Sequence, residues 1–262
     1  MVSLKLGIDT GLFMDLDLKS AMKIASEIGY EGIEISSFHR INEDEGDEIF
    51  DVAASLNLDA FCVQGGNPYT DLDFVKRSID MASRIGARFV NIGPGVEVRE
   101  GEEEAGWDET LLIVAELLEY ARERGISLAV EPEPRFSRTR SCPALSSYTK
   151  DVRKIVKEFP ELWTIIDLNH VFAFRESLPT VARMFQDRIA NVHVSDQVDR
   201  RHFHLMPGRG EIDFGSALKV LEYSGYDEFL TIELHPYHDV AEFAAREAFE
   251  YMTNLLYYMD LI

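Results

Sequence analysis

The sequence predicts a closed (β/α)8 barrel formed as one domain by residues 1–262. Three observations lead there. Eight short apolar runs recur along the chain, near residues 4–9, 32–36, 58–64, 87–92, 126–131, 162–167, 189–194 and 229–233. Amphipathic patterns with apolar residues three and four apart fall between these runs and after the last, as in Asp108 to Arg124 and Val240 to Tyr258. Residues suited to a left-handed helix end precede five of the runs, and eight strand–helix units in a chain of 262 residues match the usual size of a barrel.

The punctuation orders the elements. Gly29 precedes Gly32-Ile-Glu-Ile-Ser36, Asn57 precedes Leu58-Asp-Ala-Phe-Cys-Val63, and Gly86 precedes Ala87-Arg-Phe-Val-Asn-Ile92. Gly125 and Gly225 do the same before the fifth and eighth strands. The interval from 29 to 57 to 86 is one strand, one helix and two short loops. Later intervals lengthen, which places insertions at 93–107 after the fourth strand and at 195–212 after the seventh. Loops after strands open on the carboxyl-end face of a barrel, where functional groups collect. An open doubly wound sheet is the competing arrangement, but no Gly-x-Gly-x-x-Gly turn follows the first strand, so a dinucleotide crevice has no support.

Composition narrows the function classes. With 47 acidic against 26 basic residues the formal charge is −21, a field that repels phosphate backbones and anionic membrane surfaces. No run approaches the roughly 18 apolar residues of a membrane span. The first strand begins within a few residues of Met1, leaving no room for a secretory leader. The expectation is a cytoplasmic protein with neither nucleic-acid nor membrane partners. Cys62 in a strand and Cys142 in a loop read as reduced thiols rather than a disulfide framework.

Four strands in the second half end in residues that a buried strand has no packing reason to carry: Glu131, Asp167, His193 and Glu233. Desolvating an unpaired carboxylate costs several kcal/mol or more, so something must compensate them. Three carboxylates and one imidazole suit one divalent ion such as Mg²⁺, Mn²⁺, Co²⁺ or Zn²⁺. Each has a structural alternative: an arginine partner for Glu131, a helix N-cap for Asp167, a satisfied core histidine for His193. Their common depth favours the ion. His170 reaches over the barrel mouth towards a substrate hydroxyl, and the loop His202-Phe-His-Leu-Met-Pro-Gly-Arg-Gly210 offers His204 and Arg209 to an anionic or polyol substrate, with Asp213 as N-cap of the next helix. Glu34, Gln64, Asn91 and His39 are further candidate pocket walls, whereas Glu43-Asp-Glu and Glu102-Glu-Glu read as solvated charge.

Val130-Glu-Pro132, Asp167-Leu-Asn-His170, Val192-His-Val-Ser-Asp196, Pro207-Gly-Arg-Gly-Glu-Ile-Asp213 and Ile232-Glu233 together resemble the sugar isomerase/epimerase superfamily with the xylose-isomerase-like TIM barrel, across essentially the whole chain. The resemblance implies that Glu131, Asp167, His193 and Glu233 hold one divalent ion and that His170 contacts a small carbohydrate or polyol. It implies proton abstraction beside a carbonyl through an enediolate, with Glu131 and Glu233 on opposite faces: return to the other face epimerises, return to the neighbouring carbon isomerises. Ketose epimerases of this kind are expected to carry a further Glu six positions after the first ligand, where this chain has Ser137. By analogy such barrels pair into dimers or tetramers. Two rivals share the scaffold. A dehydratase of inosose or dehydroshikimate type would expel a β-hydroxyl after the same abstraction. An endonuclease IV-like nuclease would match His202-x-His204 but needs histidines at earlier strand ends, where Gln64 and Asn91 stand.

Overall fold

The computed structural model describes residues 3–39, 45–96, 101–133, 145 and 148–262. Eight strands run β1 (Lys5–Asp9), β2 (Gly32–Ile35), β3 (Asp59–Gly66), β4 (Phe89–Ile92), β5 (Ser127–Val130), β6 (Trp163–Asp167), β7 (Ile189–Val194) and β8 (Phe229–Ile232). They pair in parallel in sequence order, and β1 pairs with β8 to close the barrel. The helices are α1 (Leu18–Ile28), α2 (Gly46–Ser55), α3 (Leu72–Ile85), α4 (Glu103–Arg122), α5 (Thr149–Glu158), α6 (Leu168–Ala173), α7 (Leu178–Met184), α8 (Phe214–Ser224) and α9 (Ala241–Tyr258). The expected (β/α)8 barrel is the observed fold. No helix among the described residues is long and apolar enough to cross a membrane.

Local chemistry explains the boundaries. Asp17, Asp71 and Asp213 cap α1, α3 and α8, each carboxylate accepting the amide three residues on at 2.9–3.0 Å. Gly29, Asn57, Gly86, Gly125 and Gly225 all take positive φ, as their placement required. The helix expected from Asp108 begins five residues earlier, because Glu103 and Glu104 occupy its first turn, where acidic groups complement the helix dipole. Two helices, α6 and α7, separate β6 from β7.

The strands present alternate residues to two cores. Outward-facing Ile8, Ile33, Val90, Leu128, Ile166, Val192 and Ile232 pack against Ala21, Ile49, Val75, Leu117, Leu218 and Ala248 of the helix ring. Inside, Phe61 and Phe229 stack at 4.2 Å between ring centroids. They fit because β1 and β2 face them with glycine: a Cβ on Gly32 would meet the Phe229 ring at 2.5 Å, and one on Gly7 would reach both rings at 3.4 Å. These aromatics with Phe89 and Ile165 fill the lower barrel. A ligand site therefore forms above them, at the carboxyl ends of the strands.

Candidate functional site

Above this plug the inward faces turn polar. Glu131 follows Ala129, Asp167 follows Ile165, His193 follows Asn191, and Glu233 follows Thr231. The period of two that buries the lower residues thus aims all four to one place. Asp167 and His193 are paired in register across β6 and β7. Each of the four offers a ligand atom within 4.8 Å of the others. Nδ1 of His193 lies 3.3 Å from both Glu131 Oε1 and Glu233 Oε2. Asp167 Oδ1 accepts the His170 amide at 2.9 Å, capping α6, while its Oδ2 is buried without a hydrogen-bond partner. Asp167 is therefore both the cap and a free carboxylate oxygen aimed at the cluster. Glu131 meets no arginine among the described residues; its other oxygen accepts Asn91 Nδ2 at 2.8 Å.

The electrostatics describe a cluster short of positive charge. Burial works to raise every carboxyl here, yet the His193 charge holds Glu131 below and Glu233 well below the usual carboxylate range. Burial together with the Glu233 and Glu131 charges pushes Asp167 up to about 7 despite His170. Burial alone would depress His193, but Glu34, Glu131 and Glu233 drive it well above its ordinary value. The group holds protons where it has no other cation. Three carboxylates, one imidazole nitrogen and an orphaned buried Asp167 oxygen fit a divalent ion of hard-to-borderline character.

Above the cluster lies a cavity of about 250 Å³ lined by Ser37, Gln64, Asn67, Asn91, Glu131, Glu133, Glu233 and four histidines, 170, 202, 204 and 235. The wall is hydrogen-bonding throughout, apart from Ile92 and glycine backbone. His170 Nδ1 faces the Pro132 carbonyl at 2.9 Å and His204 Nδ1 faces that of Glu233 at 3.2 Å. A carbonyl only accepts, so both rings carry a proton on Nδ1 and turn Nε2 to the cavity. Between them, His202 Nε2 stands 2.8 Å from His170 Nε2 and 2.6 Å from His204 Nε2. Burial and then neighbouring imidazoles push His202 down to about 3; burial, with His235 and His170 adding to it, takes His204 to about 4. His202 and His204 are therefore neutral and suited to accepting hydroxyl donors, whereas, against the downward pull of burial, the Asp167, Glu131 and Glu233 carboxylates raise His170. Against the downward pull of burial, the Glu233 carboxylate raises His235, whose ring lies 4.4 Å from that of His204, to about 9.

The structure thus gathers Glu131, Asp167, His193 and Glu233 in one cluster, and Glu131, Glu233, His170 and His204 line the cavity with Gln64 and Asn91. Arg209 is the exception and corrects the sequence expectation. Its guanidinium is exposed and pairs with Glu247 at 3.2 Å, outside the lining. The cause is the turn around it: the amides of Gly208 and Gly210 point inward to Asp196 Oδ2 at 3.0 and 2.8 Å, which turns the intervening side chain outward. His39 bonds the Thr10 carbonyl at 3.0 Å and borders a separate cavity. Glu34 lies beneath the wall, fully buried against His193. Ser137 and Cys142 lie outside the described residues. Sequence reasoning missed His202, His235 and Glu133 as wall residues. His235 had a signal, since it stands two residues beyond Glu233 on the same side of an extended segment.

A family model described as xylose isomerase-like TIM barrel matches residues 22–255. A fructoselysine 3-epimerase of Shigella flexneri is 24% identical over 276 residues, spanning 97% of this chain and 98% of that protein. Among solved structures, a D-tagatose 3-epimerase-like protein superposes with a TM-score of 0.82 at 19% identity, covering 98% of each chain. An IOLI protein with a binding zinc atom superposes with a TM-score of 0.80 at 18% identity, covering 96% of this chain and 98% of that one. At these identities the structural matches are likenesses of fold.

Proposed function

The chain belongs to the xylose isomerase-like TIM barrel family, and we propose that it is a divalent-metal-dependent sugar isomerase or epimerase. The observation that carries the reading is the convergence of Glu131, Asp167, His193 and Glu233 under a cavity walled by hydrogen-bonding side chains. The fructoselysine 3-epimerase similarity along nearly the whole chain supports the same class.

These four residues would hold the ion, which when bound supplies Lewis-acid polarisation of a ketose carbonyl and its neighbouring hydroxyl. Every other part falls to the chain itself. Glu131 and Glu233 approach from strands β5 and β8, and His193 keeps both ionised, as a proton acceptor must be. One carboxylate removes the proton beside the carbonyl, giving an enediolate; the other, after taking a proton from solvent, delivers it to carbon from its own side, and the first then releases its proton to solvent, so that both end ionised as they began. The neutral His204 accepts a substrate hydroxyl, and His170, raised by the carboxylates around it, donates to a substrate oxygen. The protonated His235, beside His204, donates to a substrate oxygen. Asn91 fixes the free oxygen of Glu131, so the base meets its carbon in one orientation.

The test is incubation of the metal-loaded protein with ketoses, ketose phosphates, fructosyl-amines and inososes in D₂O, read by NMR. Deuterium at carbon with unchanged formula is expected. Water loss without exchange into an isomer would make the protein a dehydratase, and cleavage of an abasic oligonucleotide would make it a nuclease. Either result overturns the reading.

A further inference from the structure

We propose that Glu34 is a positioning residue for the ion, holding His193 by one ring nitrogen so that the other is offered to the cluster. The inference rests on the metal reading above. Glu34 lies one residue before the end of β2, on the inward face, and is fully buried, a costly place for a carboxylate without work to do. It is absent from the cavity wall, so it acts through another residue. Its Oε2 lies 2.8 Å from His193 Nε2. A carboxylate only accepts, so that nitrogen carries a proton and Nδ1 is left for the ion. Asn191 Nδ2 donates to the same oxygen at 2.7 Å, and Thr231 donates to Asn191 Oδ1 at 2.8 Å, which fixes which way the amide points. Three strands, β2, β7 and β8, thus close a chain Thr231–Asn191–Glu34–His193 whose last free atom is the ligand nitrogen. A carboxylate in this place also makes the imidazole a stronger donor to a cation.

The competing account is a plain buried pair that supports the fold and nothing else. The two accounts part in the ion-free protein. Glu131 and Glu233 also pair with His193, and a glutamine oxygen still accepts from His193 and Asn191, so the neutral analogue should not harm a protein that holds no ion. The test compares wild type and Glu34→Gln as ion-free and Co²⁺-loaded forms, by melting temperature, by Co²⁺ affinity in chelator competition, and by the visible Co²⁺ spectrum. The expected result is an ion-free Glu34→Gln melting at or above wild type, a Co²⁺ affinity lower by about 10–100-fold, and a shifted Co²⁺ band. Glu34→Ala, where it folds, should lose more. A Glu34→Gln that binds Co²⁺ within about threefold of wild type with an unchanged spectrum overturns the proposal. So does one destabilised equally with and without the ion, which marks the plain pair. A wild type that takes up no Co²⁺ sinks the metal reading itself, a failure visible before any variant is made.

Discussion

Replacing Asp196 by asparagine should damage this protein as much as replacing it by alanine, although asparagine is its near-isostere. Asp196 is fully buried. Its Oδ1 accepts the amides of Gln197 and Ile212 at 2.8 and 3.0 Å, and its Oδ2 accepts those of Gly208 and Gly210 at 3.0 and 2.8 Å. Every one of the four partners is a donor. Whichever way an asparagine amide turns, its NH₂ faces two backbone N–H groups. Two charge-assisted hydrogen bonds are lost, at about 1.5–3 kcal/mol each. Gly208 and Gly210 are exposed and regain some bonding from water, so we expect about 3 kcal/mol. At about 2–4 °C per kcal/mol for a chain near this size, the melting temperature should fall by about 6–12 °C. Alanine leaves a space ringed by donors that a water can enter, so it should be no worse. The turn also carries His202 and His204, and Leu205 pairs with the Asp196 backbone in both directions at 2.7 Å. KM for the substrate should therefore rise in both variants. Chemical denaturation and calorimetry check the stability. An Asp196→Asn protein within about 2 °C of wild type, beside a crippled alanine variant, would mean that packing rather than acceptor geometry holds this loop.

The ion offers a second check. At about 100 times its dissociation constant a native-state ligand adds about 2.7 kcal/mol, so Mn²⁺ or Co²⁺ should raise the melting temperature by about 5–11 °C, and Glu131→Ala, Asp167→Ala or Glu233→Ala should abolish that rise in a thermal-shift titration. Arg209→Ala removes an exposed pair worth about 1 kcal/mol at most and should leave kcat/KM within about twofold of wild type; a loss above about tenfold would restore the role that its sequence position suggested. Phe229→Ala deletes half of the stacked pair beneath the site and should cost about 3–5 kcal/mol in denaturant titration, while leaving the ion-binding residues in place.

The barrel was legible because its signals are local and repeated. Alternating inward and outward residues need only a neighbour two positions away, and Gly29, Gly86 and Gly225 announce helix ends through a backbone demand that no distant contact alters. The cluster was legible for the same reason, since four strand-end acids and imidazoles at one depth have no other shared explanation. What escaped depended on the path of a loop. From sequence, His204 and Arg209 lie in one polar stretch with equal claims on a substrate. Only the wrapping of Pro207 to Ile212 around Asp196 decides that one turns in and the other out, and a Cβ at Gly210 would meet the Gln197 carbonyl at 2.2 Å, so glycine there serves the wrapping. Glu34 was read as a wall residue because a strand end fixes its height in the barrel, whereas its partner lies across the lumen on β7.

The period of two also separates what holds the fold from what holds the ion. Below the rim the inward face is aromatic and aliphatic, from Phe61, Phe89, Ile165 and Phe229, and this plug contains no ligand. The acids stand one layer higher, where His193 bridges Glu34, Glu131 and Glu233 and Asn91 bonds Glu131. A protonated imidazole there does part of the work of a cation, so the charge has an internal counterpart when no ion is bound. The protein should consequently keep its barrel when stripped by chelator, with far-ultraviolet circular dichroism unchanged and only the melting temperature lowered. Zinc-dependent small domains behave oppositely, because their ligands are most of their core. Were the chelated protein to lose its secondary structure, the separation argued from alternation would be wrong, and the acids would have to be counted among the groups that close the barrel.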